Sequence, residues 1–398
     1  MAAQQGLATR NLALALAGFM LNFWAWALIS PLGAAYREQL DLTAFQQSVL
    51  VAVPVVVGSL GRIPVGALTD RLGARLMFPV VSLLTVLPVL FIGLVAESYV
   101  AMLVGGFFLG LGGTAFAIGV PLVNAWYPPA RRGTALGIFG IGMGGTAISA
   151  FTTVRLSDAF GREAPFLLVA GVLVVYAAVA AAFVRDAPDR AVATGSFLAR
   201  TWATAKIPAT GQLSVLYALG FGGFVAFSVY LPTYLTNAYG LRAEDASLRT
   251  AGFVVLAVAM RPVGGWLSDR VDPVLVLVVC FTGSALLAAL AGLELALMPL
   301  GTIAFLGLAA LLGAASGAVF ALVARLAPAE KVGAVTGLVG AAGGLGGFVP
   351  PLVMGAFYDA LDDYSPGLYL LAVVCLATAA FTRGPVARNA RQGATART

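Results

Sequence analysis

Two arginines stand inside otherwise apolar stretches of this 398-residue chain, and the stretches repeat. Arg62 lies in GSLGRIPVGALTDRLGAR (58–75) and Arg261 in AMRPVGGWLSDRVD (259–272), each eight residues before an Asp-Arg pair, Asp70-Arg71 or Asp269-Arg270. Leu68, Gly66 and Arg62 fall on Leu267, Gly265 and Arg261 at a constant offset of 199, half the chain. Eight helical residues rise roughly 12 Å, against a hydrocarbon half-thickness of about 15 Å. If the Asp-Arg turns mark the membrane surface, each guanidinium sits near the midplane. A charge there costs about 2.5 to 3.5 kcal/mol even on the insertion scale, so a functional reason is expected. The seventeen acidic residues all fall in loops or near the ends of apolar runs, and histidine is absent. The missing counter-charge is then a diffusible anion. A guanidinium offers planar paired donors and stays charged at physiological pH, which suits a small planar oxyanion. Two such charges about 8 Å apart, at an effective dielectric near 20, repel by ~2 kcal/mol, so a bound anion favours bringing the halves together.

The elements that must carry these arginines are transmembrane helices. Hydrophobic residues make up 60% of the chain and charged residues 10%, with a mean hydropathy of +0.97. A soluble domain carries about 25% charged residues. Twelve apolar runs of helix-spanning length divide six and six, which predicts an all-α polytopic membrane protein of two pseudo-symmetric six-helix halves. The first half covers 1–184, a polar cytoplasmic linker 185–210, the second half 211–382 and a basic, disordered tail 383–398. The first run is too long for a signal-peptide core. Sixteen of the 23 basic residues fall on the side that holds both termini, five on the other, and Arg62 and Arg261 complete the count. That bias makes both termini cytoplasmic and explains the basic pI without a nucleic-acid partner. Cys280 and Cys375 lie in apolar runs, as small core residues rather than a disulfide.

Glycines and aromatics repeat as well. Gly137, Gly140 and Gly144 of helix 5 match Gly337, Gly340 and Gly344 of helix 11 at an offset of 200. They predict close helix packing and a narrow cavity for a small substrate. Gly113 and Phe116 of helix 4 match Gly317 and Phe320 of helix 10, and Tyr217 and Phe221 share a face of helix 7 at i, i+4. Asp70-Arg71 and Asp269-Arg270 are placed as inner-gate residues. A membrane enzyme would usually need an intramembrane His, Asp or Glu, or a metal set, and a receptor would not need two symmetry-related buried charges.

The segment GALTDRLGAR at 66–75 resembles the loop signature of the major facilitator superfamily. The glycine patterns of helices 5 and 11, with an arginine in helix 2 and another in RPVGGWLSDR, resemble the nitrate/nitrite porter family. The resemblance spans essentially all twelve helices. It implies that Arg62 and Arg261 bind the anion and that Phe116, Tyr217, Phe221 and Phe320 sandwich it. The expectation is a monomeric plasma-membrane carrier without cofactor that works by alternating access and, with no intramembrane carboxylate or histidine to carry a proton, exchanges nitrate for nitrite. A proton-coupled symporter, a carrier of another small anion such as a monocarboxylate, and a non-transporting receptor are the alternatives. The family commonly reads Gly-x-Gly-Asn in helix 5 where this chain has Gly142-Met143-Gly144-Gly145, and often asparagine where Ala115 stands. Position 145 is therefore expected to face the pocket and to bear on the choice between nitrate and nitrite.

Overall fold

The structure, a computed structural model, describes residues 2–188, 197–327 and 332–395. Among them, twelve helices are long and apolar enough to cross a membrane. They are α1 (Gln5–Leu40), α2 (Ala44–Leu72), α3 (Ala74–Leu94), α4 (Tyr99–Trp126), α5 (Ala135–Phe160), α6 (Ala164–Phe183), α7 (Pro208–Tyr239), α8 (Ala243–Arg270), α9 (Pro273–Ala291), α10 (Leu297–Val323), α11 (Ala334–Leu361) and α12 (Ser365–Arg391). The protein is an integral membrane protein. Leu87, Val100 and Leu286, each more than 60% exposed, suit hydrocarbon rather than water. Local chemistry sets the ends. Gly73 closes α2 at φ +90° and Gly161 closes α5 at φ +94°, conformations that side-chain-bearing residues avoid. Ser98 and Asp272 cap the N-termini of α4 and α9.

The glycine-rich stretches bend or tighten their helices near the level of the arginines. In α2 the regular helix breaks at Gly61, one residue before Arg62. Helix α4 tightens to a 3₁₀ turn over Gly110–Thr114, and α5 does the same over Ile141–Gly144. By contrast, α8 runs unbroken through Arg261, and α10 is regular from Thr302. The two halves therefore position their arginines on differently shaped helices.

The chain forms two compact units. One comprises Met1–Asp41, Val49–Ser196 and Arg242–Ala251, the other Leu42–Ser48, Phe197–Leu241 and Gly252–Thr398. In the first, α3 packs on α6, and α1 packs on α4, α5 and α6. In the second, α7 packs on α10 and α11, and α9 on α10 and α12. Of the linker, 189–196 lies outside the described residues, and Phe197–Ala205 is a short helix. The tail departs from the disorder expected of it: a π-turn over Thr382–Val386 leads into a helix over Ala387–Thr395. Asn389 donates to Gln212 of α7 at 2.9 Å, and Val386 is fully buried. Composition alone suggested disorder because it does not register this docking. Residues 396–398 lie outside the described residues.

Candidate anion site

Arg62 is set by the approach of α2 to α4. Gly58 and Gly113 meet so closely that a Cβ on Gly113 would lie 2.8 Å from the Gly58 Cα. This brings the Gly113 carbonyl to the Arg62 Nε, which donates to it at 3.2 Å. One turn beyond Gly113, the Phe116 ring lies under the guanidinium, 5.3 Å from its carbon to the ring centroid. Phe116 is in turn backed by Phe139 at 6.0 Å and Phe19 at 5.6 Å, which themselves stack at 4.9 Å. Arg62 is only 7% exposed.

Arg261 is set by the corresponding approach of α8 to α10, and here too the enabling residues are glycines. A Cβ on Gly317 would strike the Arg261 carbonyl, and one on Gly264 would strike that of Ala314. Phe320, one turn past Gly317, then lies 5.4 Å from the guanidinium carbon. From α7, Phe221 and Tyr217 stand at 5.7 and 5.9 Å. The Tyr217 hydroxyl accepts a hydrogen bond from the Arg261 Nη2 at 2.8 Å. Tyr217 and Phe221 stack with nearly parallel planes at 4.9 Å, and Phe320 meets Tyr217 edge-on at 4.8 Å. Three rings around one cation supply attraction through their faces while the hydroxyl fixes its orientation. The structure thus gathers Tyr217, Phe221, Phe320 and Arg261 into one cluster, and Phe116 with Arg62 into another.

Within the glycine runs, some of the matched positions have room and others are buried. Around Gly137 and Gly337 there is open space, and Gly140 and Gly344 are buried. Close approach of α5 to α1 is made by Gly142, against Phe19, and by Gly145, where a Cβ would strike the Met20 carbonyl. Position 145 therefore faces the α1 backbone rather than a pocket, contrary to the expectation above. Gly144 has room, its nearest neighbour being the Met20 methyl at 3.9 Å. In α11, Gly343 leaves the space that the Tyr217 ring fills, and Gly346 and Gly347 pack on α7 at Ala218 and Val225. Gly343, Phe19 and Phe139 were not singled out from sequence. An offset of 198 sets Phe19 on Tyr217 and Phe23 on Phe221, a signal that was available.

At the C-terminal end of α8, Arg270 lies over the Trp266 ring at 4.0 Å, and Asp269 is exposed. Arg325 donates to the Ser268 carbonyl at 3.0 Å and pairs with Asp272 at 3.9 Å. Asp70 and Arg71 occupy the last turn of α2, and just beyond it the Ala74 amide donates to Asp186 at 2.8 Å.

The family profile described as Major Facilitator Superfamily matches residues 15–349 and 213–397. The "Probable nitrate/nitrite transporter NarK2" of Mycobacterium tuberculosis (strain ATCC 25618 / H37Rv) is 50% identical over 387 residues, 96% of this chain and 98% of that protein. The chain belongs to the nitrate/nitrite porter family of the major facilitator superfamily. Other members of the family are similar over most of their length. The "Nitrite extrusion protein" of Bacillus subtilis (strain 168) is 38% identical over 365 residues, 91% of this chain and 89% of that protein. The "Probable nitrate transporter NarT" of Staphylococcus carnosus (strain TM300) is 35% identical over 338 residues, 85% of each chain. Among solved structures, an inward-facing, occupied bacterial homologue of the human lysosomal transporter Spinster has the same fold. It matches with a TM-score of 0.75 at 16% identity, over 93% of this chain and 95% of that one.

Proposed function

We propose that the protein exchanges nitrate and nitrite across the plasma membrane by alternating access, with both termini cytoplasmic and Arg62 and Arg261 binding the same anion. The observation that carries this reading is the Arg261 cluster. A guanidinium is held by a tyrosine hydroxyl among three aromatic rings, which orients its planar donors. A trigonal anion fits that arrangement through paired N–H donors and flat contact with the rings. The names of the relatives at 50% and 38% identity support the choice of anion. Asp70-Arg71 and Asp269-Arg270 act at the inner ends of α2 and α8 as gate residues.

Exchange follows from the charges. Arginine does not deprotonate, and the acidic residues sit in loops or near helix ends, so no midplane carboxylate carries a proton. An empty carrier brings two like charges together at ~2 kcal/mol, about a thirtyfold handicap, and a bound anion removes it. Labelled nitrate uptake into liposomes preloaded with nitrite should therefore be fast. Uptake into empty liposomes under an inward proton gradient should be slow, and formate and chloride should compete poorly. Rapid concentrative uptake in the second condition with little in the first would point instead to proton symport.

A further inference from the structure

The two arginines are anchored by different means, and the difference leads to a residue on α1 that touches neither the guanidinium nor the anion. Arg261 is held by a side chain, the Tyr217 hydroxyl. The position on α1 that matches Tyr217 is Phe19, which has no hydroxyl to offer. The Arg62 Nε donates to a backbone carbonyl, that of Gly113, a contact that depends on how α2 crosses α4.

That crossing is built on a stripe at i, i+4 and i+8 of α2: Pro54, Gly58 and Arg62, which share one face. Gly58 packs on α4, where a Cβ would lie 3.3 Å from the Gly110 carbonyl and 3.5 Å from the Gly113 Cα. Into this junction α1 inserts Trp26. The indole is 4% exposed, and its Nε1 donates to the Pro54 carbonyl at 3.1 Å. The same nitrogen lies 3.0 Å from where a Cβ would stand on Gly58 and 3.3 Å from where one would stand on Gly113. Trp26 therefore bears on the first residue of the stripe through a hydrogen bond. It bears on both glycines of the crossing by contact. A buried indole N–H needs an acceptor, and the Pro54 carbonyl supplies it.

We propose that Trp26 is a positioning residue for anion binding: it fixes the α2–α4 crossing and so aims Arg62 through the Gly113 carbonyl. The 198 offset sets Phe224 on Trp26, and phenylalanine cannot donate a hydrogen bond. The proposal rests on the reading that Arg62 binds the transported anion.

The test is nitrate/nitrite exchange in proteoliposomes, with rates expressed per folded molecule, for wild type, Trp26→Phe, Trp26→Tyr and Phe78→Leu. Phe78 is a buried aromatic of α3 that packs on Tyr176, away from the crossing, and its loss reports a merely structural defect. Trp26→Phe removes one neutral hydrogen bond and should raise the nitrate KM by about three- to tenfold. Its maximal rate should stay within about twofold of wild type. Trp26→Tyr, which keeps a donor on a shorter ring, should fall between, and it carries the test if the phenylalanine variant does not fold. Phe78→Leu should lower yield and thermal stability at an unchanged KM. A wild-type KM in the Trp26 variants, or an equal rise in Phe78→Leu, overturns the positioning role. A wild-type protein without saturable exchange overturns the functional reading, and the role of Trp26 with it.

Discussion

Arg62 and Arg261 occupy equivalent places in a duplicated sequence, yet their neighbours make them chemically unequal. Arg261 has its orientation set by Tyr217, and a hydrogen bond to a charged group is worth about 1.5 to 3 kcal/mol, so Tyr217→Phe should weaken nitrate binding by roughly tenfold or more. Titration of the purified variant with nitrate, followed by thermal shift, checks this; an unchanged affinity would leave Tyr217 as packing only. Both arginines and the four aromatics around them were legible in the sequence, because a charge inside an apolar run and a repeat at fixed offset are one-dimensional signals. The direction in which a glycine faces is not. Gly145 reads as a pocket position by its place in a motif, but its Cβ would strike the Met20 carbonyl of α1. Gly145→Asn should therefore reduce the yield of folded protein rather than alter the preference between nitrate and nitrite, as size-exclusion profiles and competition assays would show. A well-folded Gly145→Asn with a changed preference would contradict this placement.

Among the elements, the N-terminal end of α2 is held by contacts that no local pattern announces. Asp359 of α11 accepts from the Ala44 and Phe45 amides at 2.7 and 2.8 Å, capping the first turn of α2 from 315 residues away. The segment Leu42–Ser48 is accordingly part of the second unit. Ser48 continues the contact by donating to the Ala44 carbonyl and bonding the Tyr230 hydroxyl at 3.0 Å. Losing such a cap costs about 0.5 to 2 kcal/mol, so Asp359→Ala should lower the thermal unfolding temperature measurably, and an unchanged temperature would show the cap to be immaterial. Between α9 and α10, Glu294 has its carboxyl raised above the ordinary range, first by burial and then by the neighbouring Asp363 carboxylate. A raised carboxyl favours the folded state at low pH, and that contribution is lost as pH rises through its folded value. Glu294→Gln should therefore raise the unfolding temperature at pH 7 slightly and leave it unchanged at pH 4; a loss of stability at pH 7 would contradict the sign.

For the whole molecule, twelve helices in two related halves were legible because hydrophobic length and repetition fix them, and the tail was not, because its order comes from Asn389 docking on Gln212. The duplicated architecture gives one arginine to each unit, and the functional account requires both to act on one anion. The direct measurement is nitrate/nitrite exchange by Arg62→Lys and Arg261→Lys reconstituted at equal amounts of folded protein. Lysine keeps the charge but replaces the planar donor pair with a compact ammonium. Each variant should lose exchange while keeping the size-exclusion profile and unfolding temperature of the wild type. Exchange at the wild-type rate in both variants would contradict the assignment of the anion to the two arginines.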